Sequence, residues 1–246
     1  MIAEIFGFLI AGLLAGPAHE PASTPARPVL VELYTSQGCP LCPAANEFLG
    51  RLDARTDVVA LSFSVDYWDI YGWEDTYARA EFGERQRAFK TRLDLPRVYT
   101  PQFVIDGTAE AGGAQPDGIM SEIANRRLTL TDTVQIDVQH HGEGNFTIDL
   151  NGAVPSQTPA TIYLAAYAPG WRSVTPDGGR NAGQEFRVYN PVTALFELGE
   201  WQSRADSYGA ALPEGIAGVF FIQGGEGGPI YAVADFRHSM DNPAQD

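Results

Sequence analysis

The chain has 246 residues, and its hydrophobic (44%) and aromatic (11%) content is that of a folded protein with a sizeable core, which excludes a disordered chain. Lys+Arg 16 against Asp+Glu 31 gives a formal net charge of −15, which argues against a nucleic-acid binder that neutralises phosphates and against docking on an anionic membrane. Two cysteines do not make a disulfide scaffold, so their spacing carries more than their number.

Ile2 to Gly16 is apolar apart from Glu4, and small residues follow at Gly16 and Ala18. The run is too short to span a bilayer comfortably and fits the apolar region of an export signal, although no Lys or Arg precedes it. A signal peptide over 1–18 and a Pro/Ala-rich linker over 19–28 are therefore expected. The mature protein would be periplasmic or secreted, with no stable membrane span after cleavage.

Val29 to Thr35 is an apolar, β-branched run broken only by Glu32, and predicts a strand buried on both sides. Ser36-Gln37-Gly38 is turn chemistry, and Pro40 to Leu52 presents a helical apolar face, with both prolines in its first turn. A second strand is predicted over Asp57 to Val65, then an aromatic loop from Asp66 to Trp73 and a helix from Thr76 to about Leu93. Thr100 to Gly107 predicts a third strand, headed by proline, and Pro116 to Arg127 a third helix. This alternation over 29–127 argues for an α/β unit with a partly parallel sheet.

From 130 to 240 the texture changes to antiparallel β, in the manner of a small sandwich. Val134, Ile136 and Val138 alternate with polar residues, His140 to Asn145 turns the chain, and Phe146, Ile148 and Leu150 alternate on the return. Further strands are predicted at 160–168, 184–190 and 217–223, the last paired across Gly224–Gly228 with 229–236; 191–199 has room for a turn or two of helix.

Cys39-Pro40-Leu41-Cys42 follows a buried strand and opens a helix. Unpaired N–H groups and the helix dipole stabilise a thiolate there, so Cys39 is the expected exposed nucleophile and Cys42 the resolving thiol. A zinc site lacks a second pair of ligands. A structural disulfide closing so short a loop removes little chain entropy. Glu32, mid-strand and seven residues before Cys39, is costly to bury without a partner. It either accepts the Cys42 proton from beneath the pair or joins an ion pair or helix cap. Thr100-Pro101 at the head of a strand fits a cis peptide in a tight turn. Asp66, Tyr67, Trp68, Asp69 and Trp73 either line a substrate groove beside the cysteines or bury their rings against the β-rich half. His140, His141 and His238 lack metal-ligand spacing with any partner.

A strand, a CxxC, a helix and a later Thr-Pro resemble the thioredoxin superfamily. That resemblance puts Glu32 at the place of the buried acid, and Pro101 at that of the cis-proline that packs on the disulfide and presents substrate backbone. More narrowly, VELYTSQGCPLCPAANEFL, ALSFSVDYWDIYGWEDTYA, VYTPQFVIDG and GGRNAGQEFRVYNPV look like the DUF1223 family, thioredoxin-like proteins of Gram-negative bacteria that are predicted to be secreted. Ser64 stands where that family carries His, so a proton-transfer role for the His does not carry over. Cys-Pro-Leu-Cys stands where Cys-Ser-Ser-Cys is common.

The expected fold is α/β, a thioredoxin-like domain at 29–127 followed by a β-rich, sandwich-like domain at 130–240. The expected function is an exported thiol–disulfide oxidoreductase with a redox-active Cys39–Cys42 disulfide, Glu32 and Pro101 assisting, and Thr100, Tyr67, Trp68 and Asp66 meeting substrate. Its partner would be a protein or small thiol, with no nucleic acid, no cofactor and no metal. The alternatives are a non-catalytic binding module with a structural disulfide and, with less support, a copper carrier.

Overall fold

The computed structural model describes residues 27–130, 133–154 and 159–236, so the expected signal segment, most of the linker and His238 lie outside the described residues. The strand β1 (Val29–Thr35) is buried along its whole length and pairs in parallel with β2 (Val58–Ser64) and antiparallel with β3 (Gln102–Ile105), whose far side carries β4 (Ala109–Gly112). Side chains alternate across β1. Val29, Val31 and Leu33 face the helices α1 (Cys42–Leu52) and α3 (Pro116–Thr129), while Leu30 and Tyr34 face the other way. That opposite core also takes Phe82 and Phe89 from α2 (Ala80–Arg92).

Two further sheets stack on this face. One has the order β10 (Val192–Trp201), β7 (Ala160–Tyr167), β12 (Ala217–Gly224), β13 (Ile230–Asp235); the other runs β11 (Asp206–Ala211), β6 (Asn145–Gly152), β5 (Val134–His140). Because β12 lies between two layers, Val219 and Phe221 enter the core shared with β1 and β2, whereas Phe220 and Ile222 enter the core shared with β5 and β6. A strand buried on both faces needs an unbroken apolar run, which is what AGVFFI supplies. The short hairpin β8 (Trp171–Val174) and β9 (Phe186–Tyr189) crosses to the first half and packs on α1. Trp171 lies so close to α1 that a Cβ on Gly50 would stand 2.7 Å from its ring.

This architecture corrects the expected α/β, thioredoxin-like class. Strand takes 41% and helix 22% of the described residues, distributed over several small sheets, and these residues give no evidence of a thioredoxin α/β fold. The reason is partly local. β4, β8 and β11 are short or small-residue strands with no legible alternation, and 191–199 is the strand β10 rather than a helical turn. Register shifts between Val192 and Ala194 and between Glu197 and Gly199 disrupt the period of two in β10. The other reason is tertiary: one continuous apolar core draws on Leu30, Phe63 and Phe82 and equally on Tyr167, Val192 and Phe221.

A buried ion pair stands inside that shared core. Arg85 on α2 donates to both carboxylate oxygens of Glu32 (2.7 and 2.8 Å) and to Gln223 of β12 (2.8 Å), and the Tyr34 hydroxyl donates to Glu32 (3.1 Å). The guanidinium lies 4.9–5.8 Å from the ring centroids of Phe63, Phe89, Tyr163 and Phe221. Burial is the largest single influence on Arg85 and lowers its pKa, but the charge and hydrogen bonds of Glu32, together with Tyr34 and Tyr163, outweigh it and raise the pKa above the ordinary value.

Candidate functional site: a buried pair of thiols

The turn after β1 is built by short-range bonds. Gly38 N–H donates to the Ser36 hydroxyl and Cys39 N–H to the Ser36 carbonyl. Helix α1 begins at Cys42 rather than Pro40, and Leu41 caps it without a side-chain bond, so Cys39 precedes the helix. Cys39 and Cys42 are free thiols in contact, approaching to 2.6 Å, which corrects the expected disulfide.

The two thiols are unequal. Cys39 is lowered to about 7, first by a hydrogen bond from Cys42; burial opposes this, and the Thr100 hydroxyl and the N–H groups of Leu41 and Cys42 add to it. Cys42 is raised well above the ordinary thiol value, chiefly by burial and then by its bond to Cys39. The Leu41 and Cys42 N–H groups at the helix start thus bear on the first sulfur, and a buried proton stays on the second.

Around Cys39 the structure gathers three of the four residues expected to meet substrate. Thr100 accepts a hydrogen bond from Trp68 Nε1 (2.8 Å), and Tyr67 and Thr100 interact through their hydroxyls. Thr100-Pro101 is a cis peptide, with Pro101 buried beside Gly113 and Ala45. Asp66 lies instead toward α2, near Gly83. Glu32 shares the face of Leu30 and Tyr34, and its carboxylate bonds to Arg85 and Tyr34, forming the ion pair of its second reading. The aromatic loop is a 3₁₀ turn over Asp66–Tyr71, with Tyr67 and Trp68 half-buried against the core while Ile70 is 81% and Tyr71 47% exposed. Among the described residues no group of three or more His, Cys, Asp or Glu is placed to hold a metal.

Neither sulfur is exposed, contrary to the expectation for Cys39: Cys39 is 1% accessible and Cys42 0%. Phe186 and Val188 of β9 complete a small apolar cluster with the two cysteines, with Val174, Trp68 and Tyr77 at its edge. The cover comes from sequence about 140 residues away and its apolar residues are unremarkable in isolation, so local pattern gives no warning of it.

Three polar residues escaped the sequence reading. Asn46, one turn after Cys42, donates to Thr35 Oγ1 (2.9 Å) and to the Cys42 carbonyl (3.1 Å) and accepts from Tyr189 N–H (3.3 Å). A buried amide on an apolar helix face is the signal that marks it. Gln37 accepts from Trp73 Nε1 (2.8 Å) and donates to Thr76 (2.8 Å). Asp75 accepts the Gln37 N–H (2.7 Å) and the Tyr77 N–H (2.9 Å), holding the turn that carries Cys39.

Burial raises Asp75 from 3.8 to about 6, against the pull of those two amides. The folded chain therefore binds this proton more tightly than the unfolded one, and stability falls as pH rises from about 4 through 6. Asp75→Asn is expected to remove about 2 kcal/mol of the stability difference between roughly pH 4.5 and 7.5, read by urea denaturation at both values. An unchanged difference would show that Asp75 does not titrate in this window.

A family model described as "Protein of unknown function (DUF1223)" matches residues 30–219. The solved structure of protein AGR_C_4864 from Agrobacterium tumefaciens is 27% identical, with a TM-score of 0.71 over 87% of this chain and 95% of that one. A domain of the outer membrane lipoprotein Omp28 from Porphyromonas gingivalis is 12% identical over 42% of this chain and 85% of that one, at a TM-score of 0.22, too dissimilar in shape to inform the site. The sulfur carrier protein SoxY from Chlorobium limicola, 16% identical over 48% of this chain and 90% of that one, also reaches only 0.22. No curated protein matches the chain.

Proposed function

The chain belongs to the DUF1223 family, and from that premise we propose that it catalyses thiol–disulfide exchange through Cys39 and Cys42. The observation that carries the reading is the inequality of the two thiols. One is held at about 7, where a thiolate is both populated and nucleophilic near neutral pH, and its neighbour keeps its proton. Thr100, Trp68 and Tyr67, converging on the Cys39 sulfur, are the groups we assign to substrate, with Pro101 behind them.

In the proposed cycle the Cys39 thiolate attacks one sulfur of a partner disulfide, forming a mixed disulfide and releasing the other sulfur as a thiolate. Cys42 then attacks the Cys39 sulfur. The Cys39–partner bond breaks, the second partner sulfur leaves as a thiolate, and the Cys42 proton passes to a released thiolate. The partner disulfide gains two electrons and the Cys39–Cys42 pair becomes a disulfide. The reverse sequence oxidises a dithiol, and the reduction potential sets the direction. A protein or small thiol serves as partner in either sense, and export to the periplasm or medium belongs to the same proposal.

The test is equilibration of the pair in glutathione buffers together with an assay of disulfide reduction. The expected result is a potential above roughly −300 mV with measurable turnover. A second reading, a binding module whose cysteines are structural, is favoured by the burial of both sulfurs. A potential far below about −300 mV without turnover would decide for it.

A further inference from the structure

The proposed chemistry meets an obstacle in the geometry. A disulfide must reach the Cys39 sulfur along the line of its S–S bond, yet that sulfur lies under the β8–β9 hairpin. The base and the tip of the hairpin are attached in different ways. At the base, Tyr189 N–H donates to Asn46 and the Tyr189 hydroxyl to Asp53 (2.7 Å), Asn190 donates to the Ala60 carbonyl (2.9 Å), and Trp171 packs on Gly50. The tip, residues 175–185, is held by contacts of another kind. Asn181 Nδ2 donates to the carbonyls of Gln37 (2.7 Å) and Cys39 (3.1 Å), and the Arg180 guanidinium lies over the rings of Tyr71 (4.6 Å) and Trp68 (5.7 Å). The tip also approaches the aromatic loop closely: a Cβ on Gly178 would stand 2.0 Å from the Gly72 carbonyl oxygen.

We propose that Asn181 is a positioning residue for the thiol exchange, latching the 175–185 tip and the adjoining Phe186 over Cys39 so that release of this one amide admits the partner disulfide. The inference rests on the exchange reading above and adds the control of access to it. Asn181 is 5% exposed, and one nitrogen serves both the residue that carries the nucleophile and the turn before it. Its loss therefore removes the tip's hydrogen bonds to the Cys39 turn, leaving the exposed Arg180 stacking on Tyr71 and Trp68, and keeps the base of the hairpin bonded to α1 and β2. Three glycines, Gly178, Gly179 and Gly183, the last two at φ +71° and +72°, let the tip backbone move and carry with it the adjoining Val174–Phe186 end of the hairpin, while Tyr189 stays bonded to Asn46.

The experiment measures alkylation of the reduced, full-length protein by iodoacetamide in native buffer, with Cys39 and Cys42 distinguished by fragment mass spectrometry. Asn181→Ala is expected to raise the rate at Cys39 about tenfold, the consequence of losing a pair of buried hydrogen bonds, while Cys42 stays protected. Asn181→Asp, which cannot donate and sets a carboxylate against two carbonyl oxygens, is expected to do at least as much. The pH midpoint of the Cys39 reaction should stay at or fall below the wild-type value, because the hydrogen bonds that lower it are untouched and the burial that opposes them is relieved. Rates at Cys39 equal in all three proteins would overturn the latch, as would Cys39 and Cys42 rising together in step with global unfolding. Alkylation needs no turnover, so accelerated labelling without disulfide reduction removes the exchange reading alone, and turnover with unchanged labelling removes the latch alone.

Discussion

Cys39→Ser is expected to abolish disulfide reduction, and Cys42→Ser is expected to leave a covalent adduct with the partner. The two substitutions separate because the thiols differ in kind. Cys39, lowered to about 7, supplies the attacking thiolate, and a serine hydroxyl in its place stays protonated at any workable pH. Removing the nucleophile should cost at least about a thousandfold in turnover, the scale seen when a member of a catalytic set is deleted. Cys42, raised by burial, reacts only after Cys39 has formed a mixed disulfide, since only then does its own sulfur face an electrophile. In Cys42→Ser the first step proceeds and the second stops, so the adduct persists and its mass identifies the partner. Non-reducing electrophoresis and mass spectrometry read the result; an adduct in Cys39→Ser, or none in Cys42→Ser, would place the nucleophile elsewhere.

Arg85→Ala is expected to destabilise the protein by about 3–5 kcal/mol, because it leaves the Glu32 carboxylate buried without its counter-charge. Glu32 is 1% exposed and, among the described residues, its oxygens then keep only the Tyr34 hydroxyl, while Gln223 loses a donor on the opposite sheet. The cation also fills the space among Phe63, Phe89, Tyr163 and Phe221, so its truncation adds a cavity to the lost pairing. The double variant Glu32→Met/Arg85→Met should recover most of that loss, since the pair is removed whole and the apolar cage is refilled. Urea denaturation of the single and double variants checks both statements. A loss below about 1 kcal/mol in Arg85→Ala would mean that the pair is solvated in solution. These side chains come from both halves of the chain, so the loss should appear as one cooperative transition.

The thiol site was legible from residue order because its local determinants are contiguous. VELYT is apolar on both faces, SQG turns the chain and the apolar periodicity after Cys42 is helical; strand, turn and helix stand there. Two details escaped: the helix starts at Cys42, since Pro40 and Leu41 stay outside its first turn, and Asn46 joins the site through bonds that no spacing rule encodes. For Glu32 the strand pattern could pose the question of a partner. The answer, Arg85, lies 53 residues on and depends on where α2 packs.

What the sequence by itself determined, then, is the pairing of two cysteines at a strand-to-helix turn, the cis-capable Thr100-Pro101, and most strands of a β-rich second half. Each rests on interactions within a few residues, where backbone stereochemistry and side-chain periodicity suffice. Only the tertiary structure decided that the molecule is mostly β, that Leu30 and Phe221 share one core, and that β9 and Asn181 close over the thiols. Those outcomes depend on which apolar faces meet across sequence separations of a hundred residues or more. The faces of β1, β9 and β12 are apolar enough to pack against several alternatives, and the choice among them is made by the fit of the whole core.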